Sequence, residues 1–235
     1  MRIVHFRSLS IAAIAVLTLA GSVAAQEKPS GLLNTLEVQQ LVRRAEPGDN
    51  ARLAAHFTTL AERYGSEAKR HASMAQGFVG NPSRNLGTGM SAHCKQLADL
   101  NTKSATELRE LAAYHEELAA GAAAVPPAAG AHFEAGAGAP EPTDQDLTAL
   151  AEKASTPADH LALETYFLTV AKRYTRDAAN HKAMASTYRG LPRSPGAGAA
   201  AAVHCDRLAT LSQASAQEAM GAAAMHKQLA EGGRK

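Results

Sequence analysis

Two sets of residues in this chain have the side-chain types of a soft metal site: His71, Met74, His93 and Cys94, then His181, Met184, His204 and Cys205. Each set opens with His-x-x-Met and closes with His-Cys across a Gly/Pro-rich break. Thiolate and thioether prefer Cu(I), and imidazole binds either oxidation state, so the expected metal is copper. If the intervening turn is centred near residues 84–86, antiparallel pairing sets Met74 opposite 95–98 and Cys94 opposite 75–78. His71 then faces 98–101. Met74, His93 and Cys94 share the loop end of a hairpin, as do Met184, His204 and Cys205, with His71 and His181 as deeper additions.

The same sulfur atoms support a competing expectation. In an exported chain two cysteines form a disulfide readily. A Cys94–Cys205 bridge would staple the two halves and leave no thiolate for metal. A third arrangement uses the carboxylates. Glu67, Glu107, Asp177 and Glu218 with His71 and His181 make the ligand inventory of a di-iron bundle. Their spacing is Glu-x-x-x-His, however, where that class uses Glu-x-x-His. A purely structural alternative pairs Tyr64 with Glu107 and Glu67 with His71 as a buried polar layer that fixes helix register. His115 and His226 read as satisfied core or boundary histidines, and His56 faces Tyr166 in the internal alignment rather than a second histidine.

These residues recur because the chain repeats itself. "LAERYGSEAKRHASMA" aligns with "VAKRYTRDAANHKAMA" at the offset that takes Tyr64 to Tyr174, and one extra loop residue then takes His93 to His204, Glu107 to Glu218 and His115 to His226. In each copy apolar residues follow a 4,3 rhythm. Leu53, Phe57, Leu60, Tyr64, Met74 and Phe78 mark the first seam, and Leu163, Phe167, Val170, Tyr174, Met184 and Tyr188 mark its copy. As helix, Asp49 to Phe78 would extend about 45 Å. Thr156-Pro157-Ala158-Asp159 has the order of an N-cap, a first-turn proline and an acidic third position, and Glu46-Pro47-Gly48-Asp49 is its weaker partner. Gly80, Pro82, Gly87 and Gly89 should break the first hairpin, as Gly190, Pro192, Pro195, Gly196 and Gly198 break the second.

Short amphipathic helices are expected before each hairpin, near Thr35–Arg44 and Asp146–Ala154. The fold class predicted is therefore all-α, a four-helix bundle formed by two tandem repeats of a long helical hairpin. The repeats occupy 26–119 and 144–235, joined by an Ala/Gly/Pro-rich linker over 120–143. The alternative is two hairpins that each pair with a second copy of the chain, a homodimer.

Residues 1–25 combine Arg2 and Arg7, an apolar run from Leu9 to Ala20 and the small-residue end Val23-Ala24-Ala25. That is the pattern of a secretory signal peptide with cleavage before Gln26, and it predicts a periplasmic or secreted protein. No later segment is long and apolar enough to span a membrane. Without Arg2 and Arg7 the 24 Lys and Arg fall to 22, equal to the 22 Asp and Glu, so charge gives no support for nucleic-acid binding. The hydrophobic fraction is 46% but only 4% of the chain is aromatic, so the core must rely on alanine and close helix approach.

Catalytic signatures are missing. There is no Gly-x-Ser-x-Gly, no His-Glu-x-x-His, no phosphate-binding loop and no Cys-x-x-Cys-His for haem attachment. The sequence therefore predicts an exported, non-enzymatic binding protein with copper as its cofactor. A structural or interaction bundle of the cell envelope is the competing class.

Overall fold

The computed structural model describes residues 32–81, 84–120, 142–191 and 197–232. The expected signal peptide and nearly all of the linker lie outside the described residues. Among those described there are six helices and no strand. They are α1 (Thr35–Arg44), α2 (Pro47–Gly80), α3 (Arg84–Leu118), α4 (Asp144–Lys153), α5 (Pro157–Arg189) and α6 (Ala197–Gly232).

Local chemistry accounts for the helix starts. The Thr156 hydroxyl accepts from the Asp159 amide while the Asp159 carboxylate accepts from the Thr156 amide, a reciprocal cap that satisfies two otherwise orphaned donors. Thr143 and Asp146 do the same for α4, and Asn34 and Glu37 for α1. At the start of α2, Glu46 makes no side-chain cap. Asp49 instead accepts from Arg44 at 2.6 and 2.9 Å, which ties the end of α1 to the start of α2.

The expected glycine breaks are shorter in the structure. Gly87 and Gly89 lie inside α3, and Gly198 lies inside α6. Glycine weakens a helix without stopping it. At Gly89 there is a packing reason for its presence, since a Cβ there would lie 2.6 Å from Cε of Met225 on α6.

The helices pack as a bundle. α2 runs along α3 and α5 along α6, and α3 lies against α6. Buried Ala202, Ala216, Ala219 and Ala223 give α6 a low surface that allows neighbouring helices close. α2 and α5 are joined differently, by long side chains reaching across a wider gap. The Tyr64 and Tyr174 rings stack at 6.3 Å, Arg63 pairs with Asp177, and Arg173 reaches Glu67 at 2.8 Å. As α2 is followed forward from Arg63 to Glu67, its partners run backward from Asp177 to Arg173, so these two helices are antiparallel.

The short helices cross over. α1 rests on both α2 and α5, and α4 rests on α2. Thr35 donates to Asn180 at 3.0 Å, and the Asn81 amide nitrogen donates to the carbonyls of Ala151 and Ala154, closing the end of α4. Gly77 permits the α4 contact, because a Cβ there would lie 3.0 Å from the Thr148 carbonyl oxygen. Each short helix thus packs on the long first helix of the other hairpin.

Candidate metal centre

The α3/α6 seam brings donor groups together. His93 Nδ1 lies 2.7 Å from Glu218 Oε2, and His204 Nδ1 lies 2.8 Å from Glu107 Oε2. Moving forward along α3 from His93 to Glu107 corresponds to moving back along α6 from Glu218 to His204. The helices are therefore antiparallel, and the two His–Glu pairs correspond to each other in the internal sequence alignment.

At one of them a third donor is present. Glu110 follows Glu107 by one helical turn, and its Oε2 is 3.5 Å from His204 Nδ1. One ligand atom from each of Glu107, Glu110 and His204 lies within 4.8 Å of the others, a candidate metal-binding group. Bonds of about 2.1 Å in a tetrahedral shell would separate neighbouring ligand atoms by roughly 3.4 Å, so modest side-chain shifts bring the group to that geometry. Glu107 and His204 are partly shielded while Glu110 is half-exposed, which leaves one side open to solvent. Arg207 Nη1 stands 3.4 Å from Glu107 Oε1 and offsets part of the local negative charge. At the equivalent contact the position of Glu110 is taken by Gly221, whose added Cβ would lie 3.0 Å from the His93 ring.

Of the eight residues singled out by spacing, His204 is the one that belongs to this group. His93 is on the same seam with Glu218. Met74, Met184, Cys94 and Cys205 belong to the apolar core. His93 and Cys94 part company because neighbouring residues on a helix point about 100° apart. Both cysteines are free and buried, so the Cys94–Cys205 bridge is not formed. Burial pushes each thiol up to about 12, which keeps the sulfur protonated and unreactive. Native protein should therefore react with a water-soluble disulfide reagent at least about a hundredfold more slowly than unfolded protein, which should release two thiols. A count of zero in denaturant would restore the bridge.

His71 and His181 lie in the interior. His71 is completely buried, and its Nε2 stands 3.9 Å from Glu67 Oε2, too far for a hydrogen bond. Neither ring nitrogen has a partner among the described residues, nor has His181 Nδ1. Burial pulls both histidines down to about 4, so they are neutral at ordinary pH.

The expected polar layer exists with different partners. Tyr64 donates to Asp177 at 3.0 Å and lies 3.4 Å from the Ser212 hydroxyl, whereas Glu107 goes to His204. Tyr174 donates to Asn101 at 2.9 Å. The Tyr64–Glu107 and Glu67–His71 hydrogen bonds are thus replaced by contacts between the two hairpins. Counting along a single hairpin could not find them. The di-iron arrangement fails for the same reason, because Glu67 and Asp177 face arginines between α2 and α5 while Glu107 and Glu218 face histidines between α3 and α6. Glu110 does not stand out in the sequence, because the internal alignment gives it glycine, Gly221, as a counterpart. Its spacing one turn after Glu107 was the available signal.

His115 and His226 are core residues. His115 bridges Asn50 at 2.8 Å and the Tyr188 hydroxyl at 2.6 Å, and stacks on Phe57. His226 lies 3.3 Å from His160 and stacks on Phe167. No helix among the described residues is long and apolar enough to cross a membrane. No family model matches the chain, and no curated protein or solved structure matches it either.

Proposed function

We propose that this protein is an exported, non-enzymatic metal-binding bundle, built from a duplicated helical hairpin and acting in the periplasm or outside the cell. The observation that supports it is the convergence of Glu107, Glu110 and His204 at the α3/α6 seam. Two carboxylates and an imidazole favour a divalent first-row ion over Cu(I). Copper remains the favoured metal, now as Cu(II), because it heads the affinity order for such donors, and zinc follows. Metal ligands bind in deprotonated form, so affinity should rise with pH.

A structural reading is favoured by one specific observation. The His93–Glu218 contact is made without a third donor, so a His–Glu pair here can simply join two helices. An envelope bundle without metal would need nothing more.

Titration with Cu(II) and with Zn(II), followed calorimetrically, separates the two. The expected result is one ion per chain, with affinity reduced at least about tenfold in Glu110→Gln and more in His204→Ala. Glu218→Gln, at the equivalent contact, should leave affinity unchanged. Absence of binding, or equal loss in Glu218→Gln, supports the structural bundle. Cu(I) binding that disappears in Cys94→Ser would move the site to the buried sulfur atoms.

A further inference from the structure

A cavity of about 210 Å³ opens between α1, α2 and α5, and it shares no residue with the α3/α6 metal group. Its apolar wall comes from Leu33, Val38, Leu60 and Met184. Its polar wall comes from His56, Asn180, His181 and Arg176, with Arg63 and Asp177 paired to each other beside Tyr64. An engineered cavity of about 150 Å³ already accommodates benzene, so this one has room for a single-ring molecule with a polar group.

The internal repeat explains why the space is here. His56 occupies the position held by Tyr166 in the second copy, and His181 corresponds to His71. In the second copy the Tyr166 ring stands 6.4 Å from the His71 ring. In the first copy the smaller imidazole of His56 is drawn the other way, its Nδ1 accepting from the Leu33 amide at 3.1 Å. That bond fixes the neutral tautomer with its proton on Nε2. His181 Nδ1 is buried in the wall with no partner among the described residues. A buried polar atom of this kind calls for a hydrogen-bonding guest.

Charge selects among guests. Asp177 is neutralised by Arg63 and accepts from Tyr64, and both histidines are neutral, so the exposed Arg176 leaves the wall with one net positive charge. We infer that the cavity between α1, α2 and α5 is a binding site for a small organic monoanion, a carboxylate on a compact apolar or aromatic body.

Benzoate is the probe and benzamide its uncharged analogue, followed by NMR titration of the purified protein with the ring signals of His56 and His181 as reporters. Benzoate should bind at one site with a dissociation constant on the order of millimolar, appropriate to so few atoms. His56→Tyr, which installs the residue of the other copy, should keep the helical spectrum and weaken benzoate at least about tenfold. Arg176→Gln should weaken benzoate about fivefold and leave benzamide unchanged. The inference is overturned if benzoate fails to saturate near 10 mM, on the order of the weakest binding such a ligand supports. It is equally overturned if His56→Tyr binds benzoate undiminished, or if benzamide matches benzoate and Arg176→Gln has no effect.

Discussion

Lowering the pH below about 6 should unfold this protein steeply, with a midpoint between roughly pH 4.5 and 5.5. Five histidines are buried in neutral form. His56, His115 and His226 are pulled down to about 3, and His71 and His181 to about 4, each chiefly by loss of solvent. The charges around them modify this without reversing it. His71 has Glu67 and Asp144 on one side of the balance and Arg70 and Arg173 on the other, and His181 has Asp177 against Arg63. His56 meets Arg63, His115 and His181, and His226 meets His160.

The sign follows from which state takes up protons. An unfolded histidine titrates near 6.5, and these five do so well below that when folded. Their stabilising effect is complete above pH 6.5 and is lost as the pH falls from there toward 3–4. Below pH 6 the unfolded chain holds about five more protons, which corresponds to about 7 kcal/mol per pH unit. A total stability of about 5–15 kcal/mol is then exhausted within one to two units. Asp49, Asp146 and Asp159, held low chiefly by hydrogen bonds from Arg44, Thr143 and Thr156, add to the loss at the acid end. Near-ultraviolet circular dichroism of the buried tyrosines is the measurement, because helix content can survive in a loosened acid state. A native tyrosine signal at pH 4 would contradict the account.

That sensitivity was not legible in the sequence, although the histidines were. Their seam positions marked His71, His115, His181 and His226 as interior, which the structure bears out. What they touch depends on the other hairpin. His115 finds Tyr188, Tyr64 finds Asp177 and Glu107 finds His204, across separations of 73, 113 and 97 residues that no local pattern connects. The helices were legible because capping and 4,3 periodicity are local properties. The short helix expected near Thr35–Arg44 is α1, and the Thr156–Asp159 cap forms as its spacing requires. The turns are narrower than the glycine pattern implies, because at Gly89 the missing Cβ serves packing against Met225. Pairing between α3 and α6 set the candidate metal group, and nothing periodic in either helix states which residue of one meets which residue of the other.

Phe167→Ala should lower stability by about 3–5 kcal/mol, the range for emptying a fully buried aromatic site. Phe167 stands between two of the neutral histidines, stacked on His226 at 5.7 Å and on His71 at 6.4 Å, with Tyr166 against its edge at 5.1 Å. Removing the ring takes away contacts from three partners at once, and a close-packed core relaxes only partly into the space. The effect should couple to pH. With an acid slope of about 7 kcal/mol per unit, a loss of this size raises the acid midpoint by about half a unit even if the histidines titrate unchanged. Water entering the vacated site would reduce the desolvation that holds His71 and His226 neutral and would raise their folded-state values. The slope would then become shallower, because the folded variant takes up part of the proton load before it unfolds. Denaturant unfolding at pH 7.5 measures the first effect, and the tyrosine dichroism titration measures the second. A midpoint unmoved in pH despite the loss at pH 7.5 would mean that the histidines around Phe167 do not drive the acid transition.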